Sequence, residues 1–160
     1  MNLESEFRKN CLEKKLHINE NQIYTIKLLS KFYKNTKPSL LNFFKIVLKQ
    51  SINNAFYLTG DVGVGKTMIL DFFYNHINIK KKRFHFNEFM INFHDFRHNF
   101  EKNNKKNYIE IFVKELKKKS KLIYLDEFQV TNIVDAMILG KLFETIIKEN
   151  VKIIITSNIK

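Results

Sequence analysis

A chain of 160 residues is long enough for one domain with its own core and too short for two ordinary ones. Its 44% hydrophobic and 28% charged residues exclude a disordered tail, and its single cysteine, Cys11, excludes an internal disulfide framework and fits a reducing compartment. The formal charge of +12 draws nucleic acid, anionic lipid and nucleotide alike, so the sign of the charge selects no partner by itself.

In chain order, Met1 to Glu6 carries Glu4 and Glu6 ahead of any apolar stretch, which argues against a secretory signal and against an acid-poor transit peptide. No segment approaches the ~18 consecutive apolar residues of a membrane span, so the expected compartment is the cytoplasm. Ile23, Ile26, Leu28, Leu29 and Phe32 have the spacing of a helix with one buried face, and Leu40 to Leu48, after the only proline, Pro38, repeats the pattern. These read as a helical preface covering residues 1–50. Ala55 to Thr59 is a short strand that enters a glycine-bearing turn, and Met68 to Ile77 returns to helical spacing. Arg83 to Phe86 reads as a second strand. Phe89, Met90, Phe93, Phe96 and Phe100 then recur at intervals of three and four, a stripe that reads as core rather than as a base-stacking platform.

Tyr108 to Leu116 makes a further helix ending in lysines, which suit a helix C-terminus. Leu122 to Leu125 is an uninterrupted apolar strand, Val134 to Ile147 a helix and Val151 to Ile155 a second apolar strand. Fully apolar strands alternating with amphipathic helices predict an α/β fold with a parallel sheet flanked by helices, in residues 51–160 of a single domain spanning 1–160. The lysine runs at Lys80 to Arg83, at Lys102, Lys105 and Lys106, and from Lys114 to Lys121 sit at helix ends and loops, so solvated faces are expected there.

The sharpest chemical signal is Gly60-Asp61-Val62-Gly63-Val64-Gly65-Lys66-Thr67, followed by Met68. It satisfies the phosphate-loop pattern between a predicted strand and a predicted helix. Three of the four glycines in the chain fall inside it. Glycines there let the backbone turn sharply and aim successive N–H groups at one phosphate, which the positive end of the next helix also attracts. Lys66 is expected to reach the β- and γ-phosphates of ATP, and the Thr67 hydroxyl to bind Mg²⁺.

Such a loop needs a carboxylate for the metal on a neighbouring strand, since Mg²⁺ accepts few protein oxygens. Asp126, ending the apolar run at Leu125, meets that need, with Glu127 as the base that polarises the attacking water. The competing reading is that both acids merely leave the strand and start the next helix. Asn158, in Thr156-Ser157-Asn158 after the last strand, is a polar amide suited to the γ-phosphate or its water, though Ser and Asn also end strands in turns. His94 and His98 have metal-sharing spacing but lack a third ligand, and read as helix histidines.

Tyr57 to Met68, Arg83-Phe84-His85-Phe86-Asn87-Glu88-Phe89-Met90 with His94, Leu125 to Asn132 running into Asp135 to Leu139, and Thr156-Ser157-Asn158 together resemble the Afg-one-like ATPases, also called the ZapE family, a branch of the AAA+ P-loop proteins. The acid block is the most specific, because Phe128-Gln129-Val130-Thr131 follows Asp-Glu there. By that resemblance the cradle binds phosphate, Thr67 and Asp126 hold magnesium, Asp126 and Glu127 form the Walker B pair, and Asn158 is the sensor 1 residue. The resemblance implies an ATPase acting on a protein partner in cell division or protein quality control, as a homo-oligomer, with peripheral membrane association compatible. Asn132 departs from the family's usual Asp. Family members also continue past sensor 1 into another strand, an arginine finger and a lid, so an incomplete core with slow or absent turnover is expected. Two alternatives stand beside this one: a nucleotide-binding remnant without activity, and a helicase-loader type ATPase that binds nucleic acid through the basic surface.

Overall fold

The computed structural model describes residues 2–34, 54–101 and 107–158, which fall into two compact units. The first comprises residues up to 53 together with 62–78, the second residues 54–61 together with 79 onward.

The first unit contains helices α1 (Leu3–Glu13), α2 (Glu20–Lys34) and α3 (Lys66–His76), each packed against the other two. Helix α1 begins where the Asn2 side chain accepts from the Glu4 N–H at 3.2 Å, with Glu4 and Glu6 favourably placed in its first turn. It ends in a Schellman turn: Lys15 takes the left-handed conformation at φ 53°, and the Leu16 N–H returns to the Cys11 carbonyl at 2.9 Å. Leu3, Phe7 and Cys11 recur every four residues, so one face of α1 is buried and Cys11 is a free thiol whose burial raises its pKa. This helix falls within the helical preface expected over residues 1–50, though only three buried apolar positions mark it. Helix α2 contains the predicted run from Ile23 to Phe32, burying Ile23, Ile26, Leu29, Phe32 and Tyr33. Phe7 meets Phe72 edge-on at 5.1 Å, and Tyr33 meets Phe73 edge-on at 6.3 Å. Pro38 and the pattern from Leu40 to Leu48 lie outside the described residues.

The second unit holds the strands β1 (Ala55–Thr59), β2 (Lys81–His85), β3 (Leu122–Asp126) and β4 (Lys152–Ser157), all parallel in the order β1-β4-β3-β2. It also holds α4 (Phe86–Glu101), α5 (Tyr108–Lys119) and α6 (Ile133–Lys148). The central strand β3 is buried at every position, and β4 nearly so, whereas the edge strand β1 alternates exposed and half-buried residues. Leu and Ile fill the centre because both faces of a central parallel strand lose water. The Phe stripe of α4 is core, as its spacing predicts: Phe89 and Phe93 are fully buried and pack with Phe112, Val113, Ile123 and Leu125. Burying one such ring stabilises by ~1.5–3 kcal/mol, so this cluster accounts for much of what holds α4 and α5 to the sheet.

Helix α6 starts at Asn132, whose side chain accepts from the Val134 N–H at 2.9 Å. It closes with Asn150 at φ 58° and the Val151 N–H bonded to the Ile146 carbonyl, a turn that leads directly into β4. His94 is engaged with Asp135 at 2.8 Å, joining α4 to α6. Lys80, Lys82, Lys114, Lys117, Lys118, Lys119 and Lys121 are exposed, in keeping with solvated faces, while Lys102, Lys105 and Lys106 lie outside the described residues. Among the described residues no helix is long and apolar enough to cross a membrane.

Candidate functional site

Strand β1 ends at Thr59, and residues 60–65 lead from it into α3. Gly63 and Gly65 both adopt left-handed backbone, at φ 86° and 89°. A side chain at either position is strained, and at Gly65 a Cβ would also come within 2.9 Å of the Gln22 amide nitrogen. Gly65 occupies the cap position of α3 and has no side chain with which to cap it, and the positive end of a helix is where anions bind. Left-handed residues alternating with ordinary ones are the backbone pattern from which anion-binding nests of N–H groups are built. Lys66 opens the helix and is 9% exposed, Thr67 follows in contact with solvent, and Met68 is half-buried. Val62 and Val64, by contrast, are exposed apolar residues, so their side chains form no part of the core.

In the second unit the carboxyl ends of the strands stand side by side: Thr59 is opposite Ser157, and Asp126 opposite His85. Ligands of open parallel sheets bind outside such ends. Asp126 is 7% exposed and accepts three hydrogen bonds: from Thr156 Oγ1 to Oδ1 at 2.6 Å, from the Glu127 N–H to Oδ1 at 3.1 Å, and from Arg83 Nη2 to Oδ2 at 2.5 Å. Burial alone raises the pKa of this carboxyl, but the hydrogen bonds from Thr156 and Arg83 outweigh burial and hold it below the usual carboxylate value. It is therefore a buried anion at neutral pH. A carboxylate has about four acceptor positions, so three donors leave room for one more, such as a water of a hydrated cation. Hydroxyl and carboxylate oxygens of the kind that Thr67 and Asp126 each carry are the donors a hard cation such as magnesium prefers.

Glu127 has the opposite environment. Its side chain is 71% exposed, and its backbone is left-handed at φ 56°, a conformation that costs a non-glycine residue on the order of 1 kcal/mol. The His85 ring lies beside it, with Nδ1 3.7 Å from Oε2. Helix α6 begins only at Ile133, so the competing reading of the acid pair as the opening of that helix does not hold. Asn158 follows β4 in a bend and is exposed, whereas Thr156, two residues earlier, is buried and holds Asp126.

Three contributors went unassigned in the sequence reading. Thr156 and Arg83 touch Asp126, and Gln22 touches the loop. Parallel register carried the signal for Arg83, which lies across from Tyr124 with its guanidinium 4.8 Å from that ring. Nothing in the spacing of Gln22 points to a loop 42 residues away. The Tyr124 hydroxyl is buried beside Thr156 and Asp126 without a hydrogen bond of ordinary geometry, and burial pushes its pKa far above the ordinary phenol value.

Comparison with known proteins adds a family to this geometry. A family model described as AFG1-like ATPase matches residues 2–160. The chain is 42% identical over 114 residues to Lactation elevated protein 1 homolog B of Danio rerio, covering 65% of this chain and 23% of that protein. It is 34% identical over 104 residues to the cell division protein ZapE of Escherichia coli strain K12, covering 64% and 27%. The chain thus spans about a quarter of the length of these curated relatives. Among solved structures, DnaI is similar with a TM-score of 0.56 at 20% identity, covering 92% of this chain and 71% of that one. The AMPPCP-bound DnaA of Aquifex aeolicus is similar with a TM-score of 0.55 at 19% identity, covering 91% and 41%. Likeness at such identities speaks for the fold: a parallel sheet of the AAA+ P-loop kind, flanked by helices.

Proposed function

Because this chain belongs to the AFG1-like ATPase family, we propose that it binds Mg²⁺-ATP on the loop from Gly60 to Met68 and hydrolyses the terminal phosphate. The observation that carries the reading is the pair of left-handed glycines, Gly63 and Gly65, leading into an 11-residue helix that no side chain caps. Backbone amides there receive the phosphate oxygens, and the Lys66 ammonium adds a full charge beside them. Thr67 and Asp126 are the residues that would hold magnesium, which would supply charge neutralisation at the phosphates.

Glu127 serves as general base. Being exposed, it can accept a proton from a water molecule, while Asp126, held by three donors with one acceptor position left, keeps its orientation and its charge. The two adjacent carboxylates thereby divide the work according to environment. Asn158 presents its amide to the γ-phosphate or to that water. We further propose that residues 1–160 act as one ATPase core, that the partner is a protein, and that the whole protein assembles with copies of itself. The relative named ZapE is a cell division protein, which supports a role of that kind.

Calorimetry with ATP and magnesium tests the reading. The wild-type chain should bind at micromolar to millimolar concentration, and Lys66→Ala should weaken binding at least tenfold without changing the melting temperature by more than a few degrees. Equal affinity of the two proteins rejects the loop as the phosphate site. Glu127→Gln should retain binding while phosphate release falls by about 10²–10⁴.

A further inference from the structure

Gln22 belongs to the start of α2, far in sequence from the phosphate loop, yet it uses both ends of its side-chain amide. The Gln22 N–H donates to Asn19 Oδ1 at 2.9 Å, and the Asn19 N–H donates to Gln22 Oε1 at 3.3 Å. That reciprocal pair is a capping box, which satisfies two amides at the head of the helix. The remaining end, Nε2, donates to the Val64 carbonyl at 3.4 Å and lies where a Cβ on Gly65 would intrude. Gln22 is 9% exposed, so an unmet donor there is costly.

A loop that turns its N–H groups toward an anion must turn carbonyls the other way, and those carbonyls need donors of their own. Val64 is the residue where this arises, between the two left-handed glycines. Only an amide of glutamine length accepts at the cap and donates to the loop at once. Glu retains the acceptor and loses the donor, and Met keeps the shape and loses both.

We propose that Gln22 is a positioning residue of the phosphate loop: it braces the Val64 carbonyl and holds residues 63–65 in the conformation that receives a triphosphate. This rests on the loop being the phosphate site. The brace acts on the loop and not on the base, so it serves ATP and inorganic tripolyphosphate equally.

Binding of ATP and of tripolyphosphate is measured on the full chain by calorimetry, with melting temperature recorded alongside. Gln22→Glu leaves the capping box intact and should melt near the wild type, yet bind both ligands about fivefold to tenfold more weakly, the loss expected from one buried hydrogen bond. Gln22→Met, which introduces no charge, should show the same loss and so separates the missing donor from repulsion. Asn19→Ala removes the cap and should lower the melting temperature while leaving affinity within about twofold. Unchanged affinity in both Gln22 variants overturns the proposal, as does a loss confined to ATP, which makes Gln22 a reader of the base. A wild-type chain that binds neither ligand overturns the phosphate-loop reading and this inference with it, whereas the first two outcomes overturn only the inference.

Discussion

Asp126 shows how neighbours decide the behaviour of one side chain. It is buried, and burial by itself would neutralise it, but Thr156 and Arg83 keep it ionised. A carboxyl with a depressed folded pKa adds stability that is fully present above its unfolded value of ~3.9 and is lost as pH falls below it toward the folded value. Acid titration of the wild type should therefore lose stability in that window, and Arg83→Ala should make the protein less stable at pH 7 by about 1–3 kcal/mol in urea unfolding, less than for a fully buried pair because Arg83 is one-third exposed. The difference between the two proteins should shrink as the pH drops below 4. Tyr124 makes the opposite case. Its hydroxyl is buried and makes no hydrogen bond of ordinary geometry, so Tyr124→Phe should change stability by no more than ~1 kcal/mol, and a larger loss would mean that Thr156 or Asp126 satisfies it.

Among the elements, helix ends carry the departures from ordinary backbone. Lys15 and Asn150 both close helices in the left-handed conformation, at φ 53° and 58°. Asn tolerates that region better than Lys, so Lys15→Gly should stabilise α1 by ~0.5–1 kcal/mol, read as a higher urea midpoint at unchanged slope. Most elements were readable from apolar spacing alone, because the burial of one helix face or of a whole strand writes a period into the chain. The bounds of α1 within the helical preface were not, since its buried Leu3, Phe7 and Cys11 stand among polar and charged residues and its ends rest on backbone turns at Asn2 and Lys15. Strand β2 was misplaced by two residues at its start, Lys81 instead of Arg83, because an edge strand rich in lysine has little apolar pattern.

At the scale of the molecule, the sheet also buries a charge away from the candidate site. Lys152, at the start of β4, is 2% exposed, and burial pushes its pKa down to about 8. Its folded value is below the unfolded value of ~10.4, so between these limits the unfolded chain binds more protons and stability rises with pH. Lys152→Met should accordingly raise stability at pH 7 by on the order of 1–3 kcal/mol and flatten the dependence between pH 8 and 10, both followed by thermal unfolding. The parallel α/β class was legible in the sequence, and so were the strand–turn–helix setting of the glycine loop and the place of the acid pair at a strand end. Each rests on local chemistry: glycine spacing, a carboxylate at the end of an apolar run, and the period of apolar residues. Strand order, the grip of Arg83 and Thr156 on Asp126 and the reach of Gln22 to Val64 were decided by tertiary structure alone. They depend on which strands pair and which helix start meets which loop, and distant segments meet through packing that leaves no period or spacing in the chain.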